Sequence, residues 1–288
     1  MKKLYIDIFE NEKVVKAFFS TKQGASNGSP YYNAETLSSL GLMDLQPVQP
    51  NQVHEAKIGI VGKEKCSIID EAGKEIMSWG RMEESPVIES WIQGGVAGPG
   101  NEAAGNASAI RFPRTDGAIT DQPGVLLTTV HADCLPVWFY DGEHHAIGLV
   151  HAGWRGTLAG IAPKAVRLMN ETYGSDPAKM KAYIGPGISQ CCFETGPEVL
   201  EAFRSEWDFA DEYSETAEEH AAKGRPANEG KCYIDIKGIN VRELLQAGLL
   251  PENIEVSAHC TCCEPETFAS YRREGGTYMR MGAGICLL

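Results

Sequence analysis

Four short apolar runs, Gly117–Thr120, Val125–Val130, Val137–Tyr140 and Ala146–Val150, most constrain this chain. Each is bounded by turn residues and rich in Val, Ile, Leu or aromatics, the pattern of closely packed β-strands. Two are flanked by reactive side chains. One segment reads Val130-His131-Ala132-Asp133-Cys134-Leu135-Pro136, the other Val150-His151-Ala152-Gly153-Trp154-Arg155-Gly156. Strand ends are rigid platforms, so imidazole and thiolate groups held there converge at little entropic cost. Two imidazoles and one thiolate fill three positions around zinc and leave the fourth open, as in a catalytic rather than a structural site.

The rest of the chain mixes strands and helices without a regular βαβ beat. Lys3–Ile8 and Val14–Phe19 read as strands around a polar turn, Ser20–Ser29 as a Gly/Ser-rich loop carrying Lys22, and Lys57–Val61 as a further strand. Thr157 is a candidate N-cap for a helix with Leu158, Ile161, Ala162, Ala165, Leu168 and Met169 at helical spacing and Gly174 as its stop. Lys181–Ile184 reads as a strand ending in a Gly185-Pro186-Gly187 turn, and Pro197 opens a helix facing inward through Val199, Leu200, Phe203 and Trp207. Asp211–Lys231 is polar enough to suggest a mobile loop, Ile236–Leu245 a helix, and Ile254–Ala258 a late strand. The expectation is an α+β fold (layered α/β with mixed sheets) forming a single domain over 1–288. Residues 63–113, with scattered glycines and acids and a loop-like Gly94–Gly105, suggest an insertion or lid.

At 288 residues the chain is long enough for a substantial core. A net charge of −13 argues against a general nucleic-acid surface or an anionic membrane as partner. No stretch approaches the ~20 apolar residues that span a bilayer. Asp7, Glu10 and Glu12 follow the basic start before an apolar run can form, so no secretory leader is expected. Nine cysteines in that context fit a reducing cytoplasm and roles as ligands or nucleophiles.

Around the central cysteine, Asp133 is a candidate proton carrier or partner of Cys134. The bland alternative makes Cys134 and His151 ordinary core residues. His131 competes as a ligand, although on a regular strand it faces away from residue 134. His144 and His145 sit in a polar turn. Arg155, in a Gly-bounded turn before a helix, suits a phosphate or carboxylate, or a surface ion pair. Cys260, Cys262 and Cys263 read as a second metal cluster if Cys191-Cys192 approaches, or as buried thiols near the site. Ser270-Tyr271-Arg272-Arg273 suits a base or a phosphate.

Taken together, Phe19–Lys22, Asn51–His54, Asp116–Thr120, Ala132–Pro136, His151–Gly156, Ile184–Ile188 and Cys260–Arg273 resemble the bacterial multicopper polyphenol oxidase (laccase-domain) family. That family is also described as purine nucleoside phosphorylase and as peptidoglycan editing factor. The resemblance implies a layered fold like the cysteine-hydrolase domain of deamidating toxins. It implies a zinc site of His54, Cys134 and His151, which selects His54 over His131, and copper is an alternative occupant. It further implies phosphorolysis of adenosine, inosine and methylthioadenosine, and deamination of adenosine. Read from the residues themselves, Asp133, Cys134 and His151 are the candidate catalytic groups for that chemistry. Lys22, Arg155 and Arg272 are the expected phosphate or substrate contacts. The rival readings are a cysteine hydrolase editing peptidoglycan precursors, a copper oxidase of phenols, and a non-catalytic binding protein. Departures from the family pattern are Lys22 in place of Arg, Glu55 after the Gln-Val-His segment, His131 where small residues are usual, a long stretch before Asp116, and Thr277-Tyr278-Met279-Arg280 near the C-terminus.

Overall fold

The computed structural model describes residues 3–4, 9, 12–22, 38, 40–42, 44–82, 110–277 and 279–288. Parts of three expectations, the Lys3–Ile8 strand, the Ser20–Ser29 loop and the 63–113 insertion with Gly94–Gly105, lie outside the described residues.

Two large sheets dominate. The six-stranded sheet runs in the order Lys3–Leu4, Val15–Ser20, Met281–Leu287, Val125–His131, Gln46–Pro50, Ile110–Phe112. The eight-stranded sheet runs Ile254–Val256, Lys181–Ile184, Leu135–Asp141, Ala146–Ala152, Gly117–Thr120, Ile58–Val61, Cys66–Ile69, Glu75–Trp79. Both mix parallel and antiparallel pairs. Within the stretch expected to be an insertion, Cys66–Ile69 and Glu75–Trp79 extend the larger sheet and Ile110–Phe112 edges the smaller one.

The central strands Leu135–Asp141 and Ala146–Ala152 are buried at every position because both of their faces are covered. Side chains alternate between faces along a strand. Val137, Phe139 and Val150 pack with Ala162, Ala165 and Met169 of the helix Ile161–Tyr173. Trp138, Tyr140, Ile147 and Leu149 pack with Leu127 and Ile285 of the other sheet. The result is a helix layer, a sheet and a second sheet, with two cores sharing the middle layer. This is a mixed, sheet-dominated α+β single domain.

Three local expectations need correction. Thr157 is not an N-cap: it lies inside the short helix Trp154–Leu158, and Gly160 at φ 66° breaks the chain before Ile161–Tyr173 starts. The buried Thr157 hydroxyl instead accepts from Asn240 at 2.9 Å. Gly174 does stop the long helix, at φ 79°. The late strand is shorter than expected, Ile254–Val256. Asp211–Lys231 is not a structureless loop. Ser214–Thr216 pairs with Cys232–Ile234, and Ala217–Ala222 is a helix opened by a Thr216/Glu219 capping box. Its polar residues satisfy one another: His220 stacks on Tyr233 at 3.6 Å and bonds Glu215 at 2.9 Å. Composition misleads there because the polarity is paired internally.

Candidate metal centre and substrate pocket

The register of the larger sheet builds the site. Gly117 pairs with Val150, so the preceding Asp116 lies opposite His151. His151 donates its backbone N–H to the Asp116 carbonyl at 2.6 Å, and its Nδ1 meets the Asp116 carboxylate at 3.1 Å. That carboxylate is fully buried and also accepts from the backbone of Val53 (3.3 Å), His54 (2.9 Å) and Glu55 (2.8 Å). One aspartate therefore orients two imidazoles: His151 through its ring and His54 through its backbone. With Nδ1 occupied, Nε2 is the nitrogen of His151 available to a ligand.

His54 adopts φ 63° and Asp133 φ 90°, backbone conformations that side-chain-bearing residues rarely take. Each is held by its surroundings. Besides the Asp116 bonds, Gln52 pairs both backbone groups of Val130, at 2.7 and 2.8 Å, fastening the His54 segment to the smaller sheet. Around Asp133, Ile188 N–H donates to the carbonyl at 2.8 Å, and Thr261 Oγ1 and Arg272 N donate to the carboxylate at 2.7 Å each. Strain of order 1–3 kcal/mol per residue persists only where it is over-determined in this way.

This turn carries Cys134 up to the two histidines. Ligand atoms of His54, Cys134 and His151 lie within 4.8 Å of one another. Gly153 makes the approach possible, since a Cβ there would lie 3.0 Å from the Cys134 sulfur and 3.4 Å from His54 Cδ2. Burial alone would push the Cys134 thiol up, but the His151 charge and hydrogen bonds from His151 and His54 bring it down to about 6. Burial likewise works against a charged His151, yet the Cys134 thiolate and Asp116 raise it to about 9. The metal-free pair is thus a thiolate beside an imidazolium. The donor set suits zinc or copper: a soft thiolate, two borderline imidazoles and a partner holding the far ring nitrogen.

His131 takes no part in this trio. The turn after it does bring it near His151, ring centroids 5.4 Å apart, but Nδ1 meets the Cys134 carbonyl at 3.0 Å and Nε2 meets Thr129 Oγ1 at 2.7 Å. Its burial and the His151 charge hold it well below the usual imidazole value. His144, in the polar turn, meets the Asp141 carboxylate at 2.8 Å through Nδ1.

The trio lines a cavity of about 720 Å³. Arg155, Arg272 and Arg280 are among the residues that line it, alongside Tyr271, and Arg280 donates to the Thr277 and Met279 carbonyls. Arg155 lies over the Trp154 ring at 4.1 Å, and Arg272 donates to the Cys192 carbonyl at 3.0 Å. Two expected residues fall differently. Lys22 does not line the cavity; its Nζ donates to the Pro265 carbonyl at 3.4 Å and its backbone N–H to the Thr267 carbonyl at 2.7 Å. Asp133 lines the cavity, but both carboxylate oxygens are committed to Thr261 and Arg272, so it positions loops instead of standing free as a base. Asp116, Gln52 and Arg280 are functional candidates without an assigned role at the level of sequence. The signal for Asp116 was an acid placed directly before a fully buried strand.

The family model described as "Multi-copper polyphenol oxidoreductase laccase" matches residues 17–288. "Purine nucleoside phosphorylase YlmD" of Bacillus subtilis is 32% identical over 94% of this chain and 88% of its own length. The YlmD protein of Geobacillus stearothermophilus is 37% identical over 65% of this chain, and the match spans 64% of that protein. "Adenosine deaminase RL5" from an unknown prokaryotic organism is 35% identical over 59% of this chain and 61% of its own length. Among solved structures, the hypothetical protein YfiH of Bacillus licheniformis superposes with a TM-score of 0.73 at 28% identity, covering 99% of this chain and 96% of that one. The match of the family model from Phe19 and His54 through to the last sheet strand shows that the chain belongs to the laccase-like multi-copper polyphenol oxidoreductase family.

Proposed function

We propose that this chain is a zinc-dependent purine nucleoside enzyme, carrying out phosphorolysis of adenosine, inosine and methylthioadenosine and deamination of adenosine. The observation that carries the reading is one cavity lined by a His-Cys-His donor trio and three arginines. His54, Cys134 and His151 would hold the ion, with Asp116 fixing both imidazoles. A zinc ion with an open position supplies Lewis acidity and a nucleophilic oxygen at neutral pH. Relatives named for phosphorolysis and for adenosine deamination support both activities.

In phosphorolysis, a phosphate oxygen bonds to the anomeric carbon as the carbon–nitrogen bond to the purine breaks, and the purine departs with that electron pair and takes up a proton. Arg155 and Arg272 would hold the phosphate, Arg272 through guanidinium nitrogens other than the Nη1 on the Cys192 carbonyl, and Arg280 would add charge from the same cavity lining. In deamination, water adds at the ring carbon bearing the amine and ammonia leaves. Asp133 was the expected proton carrier; its paired carboxylate makes it a positioning residue instead. Tyr271, 57% exposed at the cavity mouth, offers a ring on which a purine can stack. The abundance of thiols fits a cytoplasmic setting. Among the described residues no helix is long and apolar enough to cross a membrane.

Incubating metal-loaded protein with adenosine and phosphate tests this. Adenine with ribose phosphate reports phosphorolysis, and inosine reports deamination. Absence of all three products sinks the proposal.

The Cys134 thiolate, His151 and Asp116 also form the geometry of a cysteine hydrolase, which favours that activity as a second reading. It requires a free nucleophile, so rapid alkylation of Cys134 in the active, metal-loaded protein would favour it. A laccase-type chemistry needs several histidine-rich copper centres. Of seven histidines, His131, His144, His220 and His259 already bond Cys134 O, Asp141, Glu215 and Glu264.

A further inference from the structure

A second group of thiols lies behind the cavity wall. Cys191, Cys192, Cys260 and Cys263 place their sulfur atoms within 4.8 Å of one another. Cys192 and Cys263 are 3.3 Å apart, Cys191 and Cys263 3.6 Å, and Cys191 and Cys192 3.8 Å. Tetrahedral zinc with bonds of about 2.3 Å to sulfur sets neighbouring sulfurs ~3.8 Å apart. The cluster is therefore already near the dimensions of a tetrathiolate site.

The backbone is built to present these sulfurs. Cys192 and Phe193 N–H groups both donate to the Ser189 carbonyl, at 2.9 and 3.0 Å, closing one tight turn. Cys263 N–H donates to the Cys260 carbonyl at 3.1 Å, closing a second turn across a C-x-x-C spacing. A parallel bridge between Gly187 and Cys260 sets the turns side by side, secured by Thr261 N–H on the Gly187 carbonyl at 3.1 Å. Ser189 N–H points at the Cys260 sulfur at 3.4 Å, a contact that stabilises a thiolate.

Cationic side chains surround the group. The half-buried Arg273 donates to the carbonyls of Thr261 and Cys262 at 2.6 and 3.1 Å, and Arg272 to that of Cys192. Buried Lys237 donates to the carbonyls of Ser257 and His259 and acts electrostatically on Cys260 and Cys191. Four thiolates with one divalent ion leave a double negative charge, and these three cations lie near it, Arg273 also pairing with Glu274 at 3.0 Å while Glu264 accepts from Cys260 N–H at 3.2 Å.

We propose that Cys191, Cys192, Cys260 and Cys263 form a second, closed metal site for one zinc ion, separate from the His54-Cys134-His151 centre. Four sulfur ligands leave no open position, so the role is structural. The ion fastens the turn carrying Ile188 and Phe193 to the turn carrying Thr261. Ile188 and Phe193 line the substrate cavity, and Thr261 holds Asp133 in its strained conformation beside Cys134. The neighbouring Cys262 is outside the group and serves as a control.

The test is zinc content and residue-resolved alkylation of the whole chain, purified anaerobically without chelator. Wild type is expected to hold about two zinc ions per chain, and Cys134→Ala and the Cys191→Ser/Cys263→Ser double variant about one each. Cys262→Ser should match wild type. Iodoacetamide with peptide mass spectrometry should find the four cysteines protected in zinc-loaded wild type and labelled after chelation. That arm decides the matter even if the double variant does not fold. The proposal is overturned if wild type holds one zinc that Cys134→Ala abolishes, if the four thiols react equally with and without zinc, or if they are isolated as a disulfide. Two zinc ions in a protein inactive on nucleosides would sink the proposed activity and leave this site standing.

Discussion

Replacing Asp116 by Asn tests the view that one buried carboxylate assembles the candidate metal centre. Oδ1 accepts from His54 N–H at 2.9 Å and meets His151 Nδ1 at 3.1 Å, while Oδ2 accepts from Glu55 N–H at 2.8 Å and Val53 N–H at 3.3 Å. Asparagine has the same shape but a single acceptor oxygen. Whichever way it turns, two N–H donors then face an NH₂ group. Bonds to a charged acceptor contribute about 1.5–3 kcal/mol each, so two lost bonds amount to about 3–6 kcal/mol. The Val53–Glu55 backbone lies at the cavity edge, where water replaces part of the loss, so the expected destabilisation is about 2–4 kcal/mol. Metal binding falls separately, because in either orientation His151 loses the charged acceptor that holds its ring; changes of this kind cost about 10–100-fold in affinity. Urea unfolding followed by tryptophan fluorescence measures the first quantity, and zinc competition against a chromophoric chelator measures the second. A variant within about 0.5 kcal/mol of wild type that binds zinc equally tightly would refute the reasoning.

In metal-free protein, alkylation of Cys134 should be half-maximal near pH 6, well below the ~8.5 of a free thiol, because acid protonates the thiolate and removes its pairing with His151. Zinc should suppress the reaction across the range, and a midpoint near 8.5 would contradict the thiolate–imidazolium pair. Gly153→Ala places a methyl 3.0 Å from the Cys134 sulfur and should weaken metal binding while leaving the fold intact by circular dichroism; unchanged zinc affinity would show that the turn has room to spare. Arg155→Ala and Arg272→Ala should each raise the phosphate KM about 10–100-fold, the equivalent of losing a charged hydrogen-bond pair. Lys22→Ala should leave that KM unchanged, and an equal effect there would mean that phosphate sits on the Pro265 side.

Much of the middle of the chain was readable because its physics is local. Val125–Val130, Val137–Tyr140 and Ala146–Val150 form strands where their apolar runs stand, since strands covered on both faces need no alternation. Gly174 and Pro197 end and begin helices through backbone preferences that act over a few residues. Asp211–Lys231 misled because polarity is a guide to exposure only when the polar groups lack partners nearby, and Glu215, His220 and Lys223 have one another.

The candidate site divides the same way. By itself, the sequence determined which residues are candidates for the chemistry: one thiol and one imidazole tied to buried strands, and arginines in glycine-bounded or aromatic turns. Tertiary structure decided which of them meet. It closed a turn that presents Cys134 and occupies both nitrogens of His131, and it brought His54 from a distant segment onto Asp116. It left Lys22 out of the cavity lining, placed Arg280 in it, and gathered cysteines about seventy residues apart into one cluster. Ligand identity is a property of side chains, but convergence to a few ångströms depends on strand register and long-range backbone bonds, which no local spacing encodes.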